Sequence, residues 1–202
     1  MTSNIVLNKL KDHVPEVSYG YVKQLIKSYS IVFCIVKPRT TKLGDYRYNP
    51  TTKVHSISVN SDLNKYLFLI TFIHEMAHYR QEIKYRRRTA PHGKEWKIEF
   101  HTLMAPLLEE SVFPNEISKQ LSKHMQNPRA TCSDSHLMRL LKVHDEQYHL
   151  VLEDLSDGDL FKIHNKQTFK RIKKLRTRYE CLDISTNRKW FVHALTKVEF
   201  VN

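Results

Sequence analysis

The sequence predicts an α+β protein, in which helices pack on a small β-sheet and a small β-rich module follows. Three observations carry this prediction. The β-branched run Ile31–Val36 and the alternating run Val54–Val59 are typical of strands. The apolar run Leu67–Ile73 predicts a buried helix directly after them. From Tyr148 onward the pattern changes to short strand-like runs separated by turns, which indicates a second unit of different structure.

The first predicted domain comprises residues 1–145. Its helices are predicted at Thr2–Leu10, Val17–Tyr29, around Leu67–His78, Lys94–Leu108, Pro114–Met125 and Ser133–Val143, and its strands at Ile31–Val36, Lys42–Tyr48 and Val54–Val59. Asp62 follows Ser61 and is the predicted N-cap of the third helix. We expect the strand just before that helix to form a sheet edge to which an extended peptide can add by main-chain hydrogen bonds.

The second predicted domain comprises residues 146–202. Its strands are predicted at His149–Leu152, Leu160–His164, Thr168–Ile172, Arg178–Ile184 and Lys189–Val201. Turns at 157–159 and 185–187 separate some of these strands. This pattern indicates a small barrel, or a ribbon that has lost its metal.

One five-residue segment, His74-Glu75-Met76-Ala77-His78, matches the zinc-binding pattern H-E-x-x-H of metalloproteases. On a helix, residues four apart share a face, so both imidazoles can reach one ion. Glu75 follows the first histidine and is placed to act on a metal-bound water as general base. The sequence therefore predicts a catalytic metal site in which Glu75 is the catalytic residue.

The third metal ligand is expected downstream, because catalytic zinc has three protein ligands and keeps a fourth position for water. His92 is the main candidate, since it follows a basic loop and precedes Gly93, where the backbone can turn closely. Glu95 and Glu99 are alternatives from the following helix, and His101 is a weaker one.

The pair of motifs H-E-M-x-H and H-G-x-x-W, separated by fourteen residues from His78 to His92, resembles the SprT family of zinc metalloproteases. That family includes the protease domain of Spartan, which degrades proteins crosslinked to DNA. The resemblance spans about Tyr19 to Phe113. It implies a zincin-like core, one catalytic Zn²⁺ held by His74, His78 and His92, catalysis by Glu75, and an association with DNA.

Many members of that family end in a zinc ribbon with paired cysteines, and this sequence lacks those pairs. This chain has only Cys34, Cys132 and Cys181, with no C-x-x-C pair. An intact zinc ribbon is therefore not expected, and the pattern favours a compact protein of bacterial type. The scattered cysteines also fit a reducing compartment.

The net charge of +12 suits a polyanionic partner such as DNA. Two basic runs are the candidate nucleic-acid contacts, although a solvated face that only maintains solubility is an equally simple interpretation. The residues in question are Arg86, Arg87, Arg88, Lys170, Arg171, Lys173, Lys174, Arg176 and Arg178.

From these motifs and this resemblance, we predict a zinc-dependent endopeptidase that hydrolyses protein or peptide substrates. Its expected substrates include proteins that are associated with DNA or crosslinked to it. One alternative is a nucleic-acid-binding protein whose zinc site is structural, and another is a zinc hydrolase that attacks a different bond. Apolar runs are far shorter than the roughly 20 residues of a membrane span, and no signal peptide is evident at Met1–Asn4. We therefore expect no membrane partner and a cytoplasmic location, with nucleoid association through DNA.

Overall fold

The computed structural model describes residues 4–29, 31–85, 89–129, 134–146, 149–163 and 167–201. The chain divides into two compact units, residues 1–145 and 146–202. Helices and a three-stranded sheet make up the first unit, and a five-stranded antiparallel sheet dominates the second, so the α+β prediction is confirmed.

The first unit is built on one long helix, α3, with the sheet against it. The helices are α1 (Asn4–His13), α2 (Glu16–Ser28), α3 (Lys65–Tyr85), α4 (Lys94–Glu109), α5 (Asn115–Met125) and α6 (Ser135–Lys142). The strands are β1 (Ile31–Val36), β2 (Gly44–Asn49) and β3 (Val54–Asn60). Helix α3 is apolar on all sides over residues 67–73, and all of these residues are buried, as expected for a helix at the centre of a core.

The strand before α3 is central in its sheet, so the prediction that it forms an edge is wrong. The strand order is β1-β3-β2, with β1 parallel and β2 antiparallel to β3. Alternation along Val54–Val59 is as expected, since Ile57 and Val59 are buried while Ser56 and Ser58 are partly exposed. Within the described residues β2 pairs with β3 alone, and β2 is an edge strand that lies against α3.

Helix α3 begins later than predicted, because Asn64 rather than Asp62 caps it. The side-chain oxygen of Asn64 accepts a hydrogen bond from the backbone N–H of Leu67 at 3.0 Å. The amide nitrogen of Asn64 donates to the backbone oxygen of Leu141 at 2.9 Å, which ties the start of α3 to the end of α6. A cap that also makes a tertiary contact therefore sets the helix start.

The second unit forms a sheet of order β7-β6-β5-β4-β8. The strands are β4 (Leu160–Lys162), β5 (Thr168–Lys174), β6 (Arg178–Asp183), β7 (Lys189–His193) and β8 (Glu199–Val201). Among the described strands, β7 and β8 do not pair with each other, so the sheet is not closed into the predicted barrel. A small core on one face contains Phe161, Phe169 and the buried thiol of Cys181.

Two strand predictions in this unit need correction. The segment predicted as one strand at Lys189–Val201 is two strands, β7 and β8, which lie at opposite ends of the sheet. Instead of a strand at His149–Leu152, the chain forms a single bridge between Val151 and Lys197, then a 3-10 turn at Leu152–Asp154. Both differences come from pairing with distant segments, which local patterns do not encode.

Among the helices of the described ranges, none combines the length and the apolar character that crossing a bilayer requires.

Candidate metal centre

Three histidine side chains converge at one point of the first unit. His74 and His78 lie one turn apart on α3, and His92 lies two residues before α4. Their Nε2 atoms are 3.2 Å apart for His74 and His78, 3.0 Å for His78 and His92, and 2.9 Å for His74 and His92. Within the described ranges, these three residues form the group arranged to hold a metal ion.

The arrangement fits a tetrahedral zinc site with one open position. Three nitrogens bound to one zinc at tetrahedral angles lie about 3.3 Å apart, close to the separations measured here. Each Nε2 has one lone pair or one N–H, directed at the common point, so the three rings cannot all form linear hydrogen bonds with one another. A single cation at that point satisfies all three.

The electrostatics of the site keep these imidazoles neutral, as metal binding requires. Burial, together with repulsion from the other two rings, lowers the pKa of His74 to about 3. Burial and the neighbouring His92 lower the pKa of His78 to about 4, against a hydrogen bond with Gln81. Burial also lowers the pKa of His92. All three rings therefore offer a lone pair at neutral pH.

A tight turn places His92 against α3. His92 has a φ of 58°, in the left-handed region that costs a non-glycine residue on the order of 1 kcal/mol. Gly93 follows, and its backbone N–H donates to the Ala90 oxygen at 2.9 Å. A Cβ at Gly93 would lie 2.9 Å from that same oxygen, so only glycine fits the turn without a shift.

Gln81 anchors this turn from the metal-binding helix. Its side chain is buried, and its amide nitrogen donates to Thr89 Oγ1 at 2.8 Å and to the Ala90 oxygen at 3.1 Å. The same side chain hydrogen-bonds His78. Gln81 therefore supports two of the three histidines, as partners outside the ligand set commonly do in metal sites.

Trp96 forms the floor of the site. Its ring is fully buried, with its centroid 4.7 Å from those of His74 and His92 and 5.6 Å from that of His78. Its indole N–H donates to the His74 backbone oxygen at 3.3 Å, and the ring of Phe100 stacks on it with centroids 4.8 Å apart. A rigid aromatic platform thus limits the positions of all three imidazoles.

The alternative third ligands lie elsewhere. Glu99 is fully buried and connects α4 to α3. Its Oε2 lies 2.7 Å from Arg80 Nε in an ion pair. Its Oε1 accepts hydrogen bonds from Lys84 at 2.9 Å and from Tyr85 at 3.2 Å. His101 is exposed on the outer side of α4. Glu95 is not part of the converging group.

Glu75 lies against the edge strand β2 rather than among the histidines. Burial, with a smaller contribution from the Asp45 carboxylate, raises the pKa of Glu75 to about 7, although a hydrogen bond from the Tyr46 backbone acts in the opposite direction. A carboxyl group with a pKa near 7 is suited to accept and return a proton at neutral pH.

Strand β2 approaches α3 closely at Gly44. A Cβ at this position would lie 2.7 Å from Glu75 Oε1, 2.8 Å from Glu75 Cγ and 2.7 Å from Thr71 Cγ2. Such distances are shorter than van der Waals contact, so the glycine permits β2 to hold Glu75 in place.

The basic residues predicted as nucleic-acid contacts have different positions. Arg86, Arg87 and Arg88 lie outside the described residues. In the second unit the exposed ones are Lys170, Lys173, Lys174, Arg176 and Arg178.

Arg171 does not belong with them, and its prediction as a DNA contact is wrong. It is buried, its Nε donates to Asp157 at 2.9 Å, and its guanidinium also hydrogen-bonds the backbone oxygens of Leu152 and Leu155. The guanidinium lies 4.0 Å from the ring centre of Tyr179. It stabilises the core of the sheet and is not available to phosphates.

Sequence reasoning missed Gln81 and Gly44 as parts of the site. Gln81 follows His74 by seven residues and His78 by three, so a polar residue on the histidine face of the helix was the available signal. For Gly44 no local signal exists, since its partner Glu75 is 31 residues away (75 − 44).

Comparison with known proteins agrees with this geometry. The model of the SprT-like family matches residues 20–132, which include all three histidines, Glu75 and Trp96. No curated protein and no solved structure matches the chain.

Proposed function

This chain belongs to the SprT-like family, and on that premise we propose that it is a zinc-dependent metallopeptidase acting on DNA-associated proteins. The observation that supports peptidase chemistry most is the convergence of His74, His78 and His92, together with Glu75 next to His74 in the chain. The three histidines would hold one Zn²⁺. Structural zinc sites usually have four protein ligands, and these commonly include cysteine. The converging group has three residues, all of them histidines.

The residues around the site divide the chemistry between them. Bound zinc supplies a Lewis acid that acidifies water and polarises a carbonyl group. Glu75 accepts the proton of the attacking water and delivers it to the nitrogen of the leaving amine as the peptide bond breaks. Trp96 and Gln81 hold the histidines so that this geometry does not change during the reaction.

The edge strand β2 is the proposed docking site for the substrate backbone. Strand β2 begins at Gly44, directly beside Glu75, and the sheet presents it as an edge. An extended peptide that adds to an edge strand is held by main-chain hydrogen bonds, which are tolerant of sequence. This keeps the proposed mode of substrate binding but moves it from β3 to β2.

The first test of this proposal is cleavage of unfolded casein by the purified protein, with and without a chelator. Chelator-sensitive cleavage supports a peptidase. Binding of DNA without any cleavage would favour the alternative, in which the zinc site is structural.

Gly44→Ala is predicted to lower activity without removing the metal. The added methyl group meets the Glu75 carboxylate and Thr71, so Glu75 must shift by a substantial fraction of an ångström. Misplacement of a reacting group by about 1 Å costs on the order of 100-fold, and we expect kcat/KM to fall about 10- to 100-fold. Gly20→Ala is the matched control, because nothing lies within 4 Å of the added Cβ. Equal activity of the two variants would contradict the positioning role of Gly44.

Of the proposed DNA contacts, Lys170, Lys173 and Arg178 lie on one face of the second unit's sheet, whereas the register pairs Lys174 with the buried Tyr179 of the other face. Arg176 lies in the turn between β5 and β6. The register places Lys170, Leu182 and Lys189 in one row across the strands, and Lys173, Glu180 and Phe191 in the next. Phe191 is 55% exposed among these cations. Exposed aromatic rings among lysines stack with unpaired bases while the cations contact phosphates, a combination that favours single-stranded nucleic acid.

Charge reversal on this sheet is predicted to weaken DNA binding. The triple variant Lys170→Glu, Arg176→Glu, Arg178→Glu leaves Lys173 in place, because it pairs with Glu180 at 3.6 Å. Each lost phosphate contact removes about 0.7–0.9 from the slope of log K against log salt, so the slope should flatten by about 2. Fluorescence anisotropy with labelled single strands and duplexes at several salt concentrations measures this.

The control for that experiment reverses three exposed lysines of the first unit, Lys9, Lys27 and Lys119, which changes the net charge equally. If both triple variants weaken DNA binding to the same extent, binding depends only on the overall charge of the protein. If the unaltered protein shows no salt-sensitive binding at low ionic strength, the basic face only maintains solubility and the DNA part of the proposal fails.

A further inference from the structure

A groove runs along the outer side of α4, where the end of α5 and the segment after it lie beside this helix. Its volume is about 520 Å³, and we call it the α4 groove. None of the residues that line it is a metal ligand, supports a ligand or has a role in the proposed reaction. The side chains that matter for its chemistry are Lys94, Lys97, Ile98 and His101 from α4, with Met125 and Pro128 opposite.

The groove is electropositive. Lys94 and Lys97 are cations, and His101 and the side-chain amide of Gln126 can donate hydrogen bonds. Neither aspartate nor glutamate is among the described residues that line the groove. Residues 130–133, which follow in the chain, lie outside the described residues, and none of the four is an acid in the sequence. The groove therefore favours an anionic ligand.

Both lysine charges are available to such a ligand. Lys94 is exposed, and within the described ranges it has no hydrogen-bond or ion-pair partner. Lys97 is half-buried, and its Nζ donates to Asn127 Oδ1 at 2.6 Å. Because the amide of Asn127 is neutral, it orients the ammonium group without cancelling its charge and leaves it two further donors.

The donors of α4 form a row that matches a chain of regularly spaced charges. Lys94, Lys97 and His101 follow one another after three and four residues, so they lie along one side of the helix. The row is about 10 Å long at 1.5 Å per residue. Successive phosphates of one nucleic-acid strand advance by about 3.4 Å. The row therefore spans three or four phosphates of a strand, whatever its base sequence.

Apolar side chains complete the groove. Ile98 is 43% exposed, and the largely buried Met125 and Pro128 lie across from it. A nucleotide carries a sugar ring and the face of a base directly beside its phosphate, so it can contact these apolar groups while the lysines hold the phosphate. A positively charged groove that follows the backbone is the usual means of binding a single strand without sequence preference.

We propose that the α4 groove binds the sugar-phosphate backbone of a single nucleic-acid strand. Lys94 is two residues from the ligand His92, so their Cα atoms are at most about 7 Å apart, and the bound strand would pass next to the metal centre. The inference rests on the proposed function and adds to it a DNA site in the first unit. Such a site would bring a protein attached to the strand close to the catalytic residues.

The test is binding of a labelled single strand to the full-length, zinc-loaded protein, measured by fluorescence anisotropy at several salt concentrations. In the double variant Lys94→Gln, Lys97→Gln two phosphate contacts are lost. The slope of log K against log salt should flatten by about 1.4, and Kd at about 50 mM salt should rise about 10- to 100-fold. Lys94→Arg, Lys97→Arg keeps both charges and should bind as the unaltered protein does.

Two further measurements separate the groove from a general effect of charge. Photo-crosslinking of a strand that contains halogenated uracil should attach it to α4 or to residues 125–128, as mass spectrometry of the digested complex can show. The matched control is Lys9→Gln, Lys27→Gln, which removes the same charge from exposed positions of α1 and α2. This control should change Kd far less than the groove variant.

Equal loss of affinity in both double variants, or unchanged affinity in the groove variant, overturns the groove as a nucleic-acid site while salt-sensitive DNA binding by the protein stands. If the unaltered protein shows no such binding, the DNA part of the proposed function fails and the groove fails with it. Labelled polyglutamate is the second probe. If the groove variant loses affinity for polyglutamate but not for the strand, the groove binds acidic protein segments and the proposal is wrong.

Discussion

Glu75→Gln is expected to abolish peptidase activity while zinc stays bound. The amide keeps the size of the carboxyl group but cannot accept a proton from water. Removal of a general base costs about 100- to 10,000-fold, and we expect a loss of kcat/KM of at least about 1,000-fold. Metal analysis should still find one zinc per chain, because the three histidine ligands are unchanged.

The same variant should fold at least as well as the unaltered protein. Burial raises the pKa of Glu75, which means that the folded state penalises its charged form. A neutral amide avoids this penalty, so the free energy of unfolding at neutral pH should not fall. Substantial cleavage by Glu75→Gln would remove Glu75 from the mechanism, and loss of zinc from it would show that Glu75 is a ligand.

His92→Ala is expected to lower zinc affinity by more than about 100-fold. Loss of a partner outside the ligand set already costs about 10- to 100-fold, and His92 contributes one of three converging nitrogens. Zinc titration against a competing chelator measures this. The metal-free variant should fold normally, because an alanine at φ 58° experiences about the same backbone strain as the histidine.

Glu99→Ala is the informative comparison, since Glu99, on the following helix α4, was an alternative third ligand. It should lose stability instead of zinc. Removal of this carboxylate leaves the half-buried Arg80 without its partner, at a cost of about 2 kcal/mol in the free energy of unfolding. Normal zinc affinity in His92→Ala, together with loss of zinc in Glu99→Ala, would move the third ligand to Glu99.

The local parts of the site were predictable from sequence, because helix geometry alone brings His74 and His78 to one face. His92 was predicted as the third ligand from its own short motif, and the structure places it with the other two. The supporting contacts were not predictable in this way. Gly44 and Glu75 are far apart in the chain, and only the packing of β2 on α3 brings them together.

In the fold too, local features could be predicted from sequence and long-range pairings could not. Most element types followed from periodicity, although the strand predicted at His149–Leu152 did not form. Strand order did not follow, since β3 is flanked by β1 and β2 through pairings that no local pattern encodes. Arg171 is instructive, because alternation within the predicted strand places it on the side of Phe169, opposite Lys170. The basic run around Arg171 suggested that its side chain is exposed. The alternation of side chains along the strand predicted its burial correctly.

The measurement that tests the central claim most directly is the recovery of peptidase activity as zinc is returned to metal-free protein. Cleavage of unfolded casein should be absent after chelation and should rise linearly with added zinc to a plateau at one equivalent per chain. The Glu75→Gln protein should take up the same equivalent of zinc and remain inactive. Cleavage that persists after complete removal of zinc, or that never appears at one bound zinc per chain, would contradict the assignment of this protein as a zinc metallopeptidase.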